Sequence, residues 1–403
     1  MRRTKEMKAN LTMARAERLG LSSERLERIS AFFEGEVAQG RVPGVVAMVA
    51  RRGQVAFYEA YGRRVPDSPD PMRRDDLFRI QSMTKPILSV GLMMLVEEGR
   101  CSIDEPVAKY LPALANMKVA VPRPGAAADD LSLVPAEKPI TIHDLLRHTS
   151  GFTYGLRTTH VKRFYQDLEK RRLDLTNAEL VEALGQTPLA FQPGTIWEYG
   201  NSSEVIGGLI EVLSGQTLGT YFTERIYKPL GMVDTGFWLR EDQMSRMAEP
   251  GKDPYSGAQQ VLQDHRTPRK LERGGGGLIS TAPDYLRFAQ MLLNGGEFEG
   301  ERLIGAKTLG WMTSDHLGAI PKGGDFYAGP GYGFGLGFAV RTEPGQSGVP
   351  SSVGEYYWWG WAGTAFWVDP KEDLIGLMMI QSPALNREYP RKFRTLVMQS
   401  IVD

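Results

Sequence analysis

The sequence predicts an α+β / α/β fold in which an antiparallel sheet, built from both chain ends, is flanked by helices and carries an inserted, mainly helical domain. Three observations lead to this prediction. Strand-like segments come early, helical periodicity dominates the middle of the chain, and short apolar runs broken by glycine return near the end. Strands separated in this way bury their apolar faces best when both groups join one sheet across the insertion.

The first hundred residues predict a helix, a hairpin and a second helix. Apolar residues in 23–37 recur at spacings of three and four, which is typical of an amphipathic helix. Residues 45–51 and 55–61 are rich in valine and alanine, and the Arg-Gly-Gln between them indicates an antiparallel hairpin. An apolar helix is expected over 82–98, ended by Gly99.

The rest of the chain changes its pattern twice. Residues 121–139 are rich in proline, alanine, aspartate and glycine and predict a surface loop. Helical patterns dominate 142–226 and return over 282–293. Strands are expected at 332–340, at 364–368 and at 374–380.

These elements predict two domains. The sheet domain takes residues 1–65 and 282–403, and the mainly helical domain takes residues 66–281. We expect the active site in the cleft between them, because ligand sites form preferentially where domains meet.

Composition and charge exclude several kinds of partner. The 403 residues include 48 basic and 48 acidic side chains, so the formal net charge is zero and no global field attracts nucleic acid or an anionic membrane. No apolar run approaches the roughly 18 residues that span a bilayer, and no secretory signal follows the basic start. We expect a cytoplasmic protein without nucleic-acid or membrane partners. Zero net charge is compatible with a homo-oligomer.

The sequence contains no motif that indicates a metal or cofactor site. The single cysteine, Cys101, excludes an internal disulfide and any site with several thiolates, and it is expected as a small buried residue. The five histidines form no His-Glu-x-x-His pair. We therefore expect no metal and no cofactor.

The candidate nucleophile is Ser82, in the only Ser-x-x-Lys of the chain. The spacing to Lys85 puts both side chains on one helical face. At the first turn of a helix the serine N–H can serve an oxyanion. A buried lysine also loses its proton more easily and can accept one from the hydroxyl. Taken alone, the same pattern fits a capping serine at a helix start.

Two more motifs favour catalysis. Tyr199 and Asn201 form the only Tyr-x-Asn, in a polar loop before a helix. The aromatic segment 356–364 is punctuated by glycine, which lets a backbone approach a ligand closely. Its rings are open to two interpretations, namely packing within the sheet or the wall of an apolar pocket.

Together with residues 78–85, 145–151, 229–232 and 276–282, these motifs resemble the serine β-lactamases and penicillin-binding proteins. The resemblance is greatest to the class C β-lactamases and the family VIII carboxylesterases, and it runs from about residue 19 to residue 398. It implies the β-lactamase/penicillin-binding-protein-like fold.

The resemblance also implies roles for individual residues. Ser82 would be the acyl-accepting nucleophile, Lys85 its proton partner and Tyr199 an acid/base of the second motif. Asn201 would lie beside the substrate. Whether Lys85 or Tyr199 is the general base stays open.

The third motif departs from the family pattern. β-Lactamases carry Lys-Thr-Gly on the edge strand, whereas Trp358, Trp359 and Gly360 stand at that place here. The missing lysine would pair with a substrate carboxylate, a charge-assisted contact of about 1.5 to 3 kcal/mol. Its loss favours neutral substrates. The same alignment makes the N–H of Trp361 the second oxyanion donor, while a one-residue shift would transfer that role to Ala362.

We therefore expect a carboxylesterase that hydrolyses short to medium acyl esters through an acyl-enzyme on Ser82, with a small-molecule ester as its partner. Three alternatives stay open: a class C-like β-lactamase or cell-wall peptidase, an acyltransferase on the same scaffold, and a ligand-binding protein without activity. Asn201 keeps weak β-lactam binding open. The missing lysine weighs against cell-wall substrates, and the intact Ser82, Lys85 and Tyr199 weigh against the non-catalytic alternative.

Overall fold

Residues 12–123, 125, 130–155, 159–323 and 326–403 are described by a computed structural model. Its strands are β1 (Gly44–Arg51), β2 (Gln54–Gly62), β3 (Phe78–Arg79), β4 (Lys118–Pro122), β5 (Leu131–Pro135), β6 (Ile279–Ser280), β7 (Glu297–Phe298), β8 (Glu301–Arg302), β9 (Tyr332–Phe334), β10 (Ala339–Arg341), β11 (Tyr356–Trp359), β12 (Ala365–Asp369) and β13 (Leu374–Ile380). Its helices are α1 (Ser23–Ala38), α2 (Thr84–Glu97), α3 (Ile142–Leu146), α4 (Lys162–Arg171), α5 (Asn177–Gly185), α6 (Ser202–Ser214), α7 (Leu218–Phe222), α8 (Lys228–Leu230), α9 (Ala282–Leu293), α10 (Ala306–Met312) and α11 (Glu388–Met398).

One seven-stranded sheet joins both ends of the chain. Its strand order is β2-β1-β13-β12-β11-β10-β9, and every neighbouring pair is antiparallel. The N-terminal hairpin meets the C-terminal strands where β1 pairs with β13, with Val45 opposite Ile380. The predicted antiparallel sheet built from both chain ends is confirmed.

Helices cover both faces of this sheet. Along β1, Val45, Ala47 and Val49 pack into one core with α1 and α11, and the alternate residues pack into the larger core on the other side. Phe33 of α1 and Phe393 of α11 meet there with ring centroids 6.0 Å apart. Because successive strand residues face opposite sides, a strand buried on both faces is apolar throughout.

The helix α2 lies at the centre of the second core. Every residue from Thr84 to Leu95 is buried, and α2 packs against α6. A helix that is apolar around its whole circumference is stable only when other elements surround it. The residues just before α2 are thereby fixed at a junction between the central helix and the sheet.

Most predicted elements are confirmed. The amphipathic helix is α1, the hairpin is β1–β2, and the expected elements at 282–293 and 374–380 are α9 and β13. The helix expected from residue 82 begins with a 3₁₀ turn over Gln81–Met83 before α2. Gly99 follows α2 with φ 71°, the left-handed conformation predicted for its C-terminal glycine. The strands of the seven-stranded sheet all fall within 1–65 and 282–403, although the division into domains stays a prediction.

Two expectations were wrong. Residues 121–139 were expected as a surface loop, yet β4 and β5 pair as a hairpin, with Val119 opposite Val134. Turn-forming residues between the strands hid their short apolar alternation, and residues 124 and 126–129 lie outside the described residues. The single strand expected at 332–340 is two strands, because the chain turns back at Gly337, with φ 96°, and β9 pairs with β10.

Cys101 is buried, as predicted. Among the described residues, no helix is long and apolar enough to cross a membrane.

A substitution at Gly376 of β13 tests how tightly the sheet packs against α11. A Cβ at this position would overlap the ring of Trp367 on β12, which in turn packs against Phe393. We expect Gly376→Ala to lower the free energy of unfolding by about 1 to 3 kcal/mol, measured by urea denaturation. Gly310→Ala in α10 is the matched control, because a Cβ there meets open space. Equal stability of both variants would contradict this account of the packing.

Candidate active site

Ser82 lies in the 3₁₀ turn that joins β3 to α2. The preceding residue, Gln81, has φ 47°, a left-handed conformation that is uncommon outside glycine. Thr364, beside β12, donates from Oγ1 to the carbonyl of Ile80 over 3.2 Å. The turn is therefore held between the sheet and the central helix, and such constrained backbone is common at functional sites.

Lys85 is buried directly below Ser82. Its Nζ lies 3.2 Å from Ser82 Oγ and 2.5 Å from the carbonyl oxygen of Gly275, and the residue is 2% exposed. Burial lowers the pKa of Lys85 to about 7; the nearby Glu204 carboxylate opposes this shift and Arg273 adds to it. The amine is therefore close to half-neutral at neutral pH.

The carbonyl that faces Lys85 is positioned by Glu204 of α6. This carboxylate is fully buried, accepts a hydrogen bond from the Gly275 N–H at 3.2 Å and lies 3.4 Å from Arg273 Nε. A Cβ at residue 275 would stand 2.6 Å from Glu204 and 2.9 Å from the Tyr154 hydroxyl. A side chain there would displace the buried Glu204 carboxylate or the Tyr154 hydroxyl, so glycine at 275 allows the backbone to lie beside both groups.

Tyr199 lies on the other side of Ser82. Its hydroxyl accepts a hydrogen bond from Trp358 Nε1 at 3.2 Å. Lys85 Nζ lies 4.6 Å from the centre of the Tyr199 ring. Burial raises the pKa of Tyr199 well above its ordinary value, although Ser82 and Trp358 both oppose this shift. Tyr199 is therefore a neutral phenol at neutral pH.

The aromatic segment around β11 both packs within the sheet and forms the wall of a pocket, the two interpretations that its sequence left open. Tyr356 packs in the core, with its ring 5.3 Å from that of Phe338. Trp358, Trp359 and Trp361 line the cavity above Ser82. Trp358 is 1% exposed and its indole N–H donates to the Tyr199 hydroxyl.

The loop after β11 lies against the serine turn. A Cβ at Gly360 would overlap the Ile80 carbonyl oxygen, so glycine is needed for this approach. Among the described residues, no acceptor takes the backbone N–H of Ser82 or of Trp361. The Trp361 carbonyl accepts from Asn386 Nδ2 at 3.1 Å, while its side chain is 60% exposed.

Asn201 is placed differently from Ser82, Lys85 and Tyr199. It precedes α6, is 3% exposed, and donates from Nδ2 to the Thr153 carbonyl at 2.7 Å. The structure does not bring it into the cavity wall. His148, in a segment that carries the family resemblance, is also buried, with its ring 4.9 Å from that of Tyr199, and burial lowers its pKa well below the ordinary value.

The cavity above Ser82 has a volume of about 360 Å³. It is aromatic on the β11 side, and its lining also includes Arg172, paired with Glu169 at 2.5 Å, and Arg273, paired with Glu204. Glu169 and Arg172 lie within residues 156–175, a segment whose sequence suggests a rim of the site. Sequence reasoning missed Glu204 and Arg273, because their spacing along the chain gives no sign that they meet. The lining residues are Gln81, Ser82, Tyr154, Glu169, Arg172, Tyr199, Arg273, Gly275, Tyr327, Trp358, Trp359 and Trp361.

A family model described as Beta-lactamase matches residues 29–397. The chain belongs to the Beta-lactamase family. Its curated relatives include Protein Rv1367c of Mycobacterium tuberculosis (strain ATCC 25618 / H37Rv), 36% identical, with 85% of this chain and 86% of the relative covered. They also include Esterase EstB of Burkholderia gladioli, 31% identical, with 87% and 89% covered.

Solved structures share this fold. Simvastatin synthase LovD from Aspergillus terreus superposes with a TM-score of 0.80 at 23% identity, covering 94% of this chain and 98% of that one. The β-lactamase/penicillin-binding-protein-like fold expected from the sequence is confirmed.

Proposed function

We propose that this Beta-lactamase family member is a carboxylesterase that hydrolyses small neutral esters through an acyl-enzyme on Ser82. One observation carries the proposal. Lys85 Nζ lies 3.2 Å from Ser82 Oγ, and Ser82 and Tyr199 line one cavity in which the Trp358 indole, not an ammonium, donates to the Tyr199 hydroxyl. The relationship to Esterase EstB supports the same reaction class.

In the proposed acylation, Ser82 Oγ attacks the ester carbonyl and its proton passes to neutral Lys85. The C–O bond to the alcohol then breaks, and Tyr199 gives its phenol proton to the departing oxygen. Proton transfer from the Lys85 ammonium to the Tyr199 phenolate then returns both groups to their starting states. A pKa of about 7 suits Lys85 for the base, and the raised pKa of Tyr199 keeps the phenol protonated and therefore able to donate.

Deacylation repeats these steps with water as the nucleophile. Water adds to the acyl carbonyl, its proton passes to the same base, and Ser82 leaves with a proton as the carboxylic acid is released. In both halves the N–H groups of Ser82 and Trp361 would stabilise the oxyanion. Each such donor lowers the barrier by roughly 2.7 to 4 kcal/mol.

The charges around the cavity support a neutral substrate. Trp358 donates a hydrogen bond without bringing a positive charge, and Arg172 and Arg273 of the cavity lining already face a carboxylate. A carboxylate on the substrate would therefore find no arginine without a carboxylate partner among the described lining residues. The volume lies near the lower end of the roughly 300 to 1,000 Å³ of ligand pockets, which favours short to medium acyl groups.

Replacing the nucleophile tests the reaction class. Wild-type protein is expected to hydrolyse p-nitrophenyl acetate and butyrate much faster than a chromogenic cephalosporin, and Ser82→Ala is expected to lower ester turnover at least about 10³-fold. Ser214→Ala at the end of α6 controls for a serine outside the site. Turnover retained by Ser82→Ala would refute the acyl-enzyme, and faster cephalosporin cleavage would favour the β-lactamase alternative.

The pH dependence tests the base. Because neutral Lys85 accepts the proton, kcat/KM should rise with pH through an apparent pKa of about 7. The Glu204 carboxylate raises this pKa, so Glu204→Gln should move the rising limb to lower pH while keeping an acceptor for Gly275. Glu224→Gln, in the π-turn Thr223–Tyr227, is the control and should leave the limb in place. A shift to higher pH in Glu204→Gln would contradict the assignment of Lys85.

Trp358→Phe tests the indole donor. Phenylalanine keeps an aromatic wall but removes the N–H that Tyr199 accepts, so kcat should fall about fivefold, as expected for one neutral hydrogen bond of about 1 kcal/mol. Trp311→Phe on the exposed face of α10 is the control. An unchanged kcat would show that the indole only fills space.

A further inference from the structure

A second cavity, of about 200 Å³, lies behind the catalytic one. Among the described lining residues the two cavities share only Tyr327 and Trp359, so these side chains form a common wall. The second cavity is enclosed by β11, the segment 326–332, the segment 347–349 and the start of α11. No step proposed for Ser82 uses it.

The floor of this cavity is aromatic. The rings of Tyr357 and Trp359 stack with centroids 5.7 Å apart and an interplanar angle of 14°. Phe326 and Tyr327 close the side nearest the catalytic cavity. Such flat ring surfaces offer apolar contact to an aryl or alkyl group.

The rim of the cavity is cationic. Arg387, Arg391 and Arg394 of the α11 region line it, and its described lining residues include no aspartate or glutamate. Arg394 is buried and ion-paired with Glu355, so it is compensated. No carboxylate among the described residues lies within 4 Å of the guanidinium groups of Arg387 and Arg391.

These two arginines are held in place without an anion. Arg387 lies over the Tyr327 ring, 5.3 Å from its centre. Arg391 Nη2 occupies the space where a Cβ at Gly348 would stand, so the guanidinium lies directly on that backbone. The neighbouring Glu388 is engaged by Arg41 and Lys392 and does not compensate the rim.

From this juxtaposition we propose that the cavity behind Trp359 and Tyr327 binds a small organic carboxylate, with its apolar part on the aromatic floor and its carboxylate on Arg387 and Arg391. Guanidinium groups are the preferred partners of carboxylates because their N–H groups match the two oxygens. The cavity is smaller than the roughly 300 Å³ of pockets for drug-sized ligands. The cavity therefore has room for a ligand no larger than one aromatic ring or a short acyl chain.

Benzoate and hexanoate are the probes, and calorimetric titration into the full chain is the measurement. We expect both to bind to the wild type, and Arg387→Gln/Arg391→Gln to raise the Kd of benzoate at least tenfold. Lys392→Gln removes one charge from the same helix without touching the cavity. Arg172→Gln removes one from the catalytic cavity, and both controls should keep the wild-type Kd within twofold.

Three results would overturn the proposal. The first is an unchanged Kd in the double variant, and the second is absence of binding by the wild type at 10 mM probe. The third is an equal loss of affinity in Arg172→Gln, which would place benzoate in the catalytic cavity. Inorganic phosphate should displace benzoate poorly. Equal displacement by phosphate would show that the site recognises charge alone. Thermal unfolding checks that the variants fold, and because binding is measured without ester turnover, the outcome is independent of the esterase proposal.

Discussion

The removal of one lysine amine from water is the constraint on which the rest of the site depends. An amine in solution has a pKa of about 10.4 and is almost fully charged at neutral pH. Burial lowers the pKa of Lys85 to about 7. This requires a helix that is enclosed on all sides, and the apolar circumference of α2 meets that requirement by placing it in the middle of the larger core. The strength of the base is thus a consequence of the fold.

A second constraint is that remote parts of the chain must meet at Ser82. The serine turn, the loop before α6, the glycine run at 274–277 and the end of β11 are far apart in sequence. Sheet closure between β1 and β13 fixes β12 and β11, and the loop after β11 then reaches the Ile80 carbonyl, where Gly360 is the only residue that fits. The close approach of these two backbone segments therefore fixes where the proposed oxyanion donors, the N–H groups of Ser82 and Trp361, lie relative to each other.

The sequence was sufficient to predict a sheet built from both chain ends and to locate the three motifs. Strand alternation, helical spacing and Ser-x-x-Lys are local patterns that can be recognised without the structure. It did not predict the turn at Gly337 that splits one apolar run into β9 and β10. Glu204 and Arg273 were missed because they meet only through tertiary packing. The substrate contact of Asn201 stays a prediction, since its motif suggests that role while its amide Nδ2 donates to the Thr153 carbonyl.

The indole of Trp358 also bears on which group takes the serine proton. An ammonium at this position would lie next to Lys85 and Tyr199, and its charge would lower the pKa of both groups and favour a phenolate. The indole N–H gives Tyr199 one hydrogen bond and no net charge, so desolvation dominates and the phenol keeps its proton. Among the described residues of the cavity wall and Lys85 itself, the lysine is the group whose pKa lies near neutrality. The replacement that removes an anchor for substrate carboxylates therefore also supports our proposal that the lysine is the base and the tyrosine the acid.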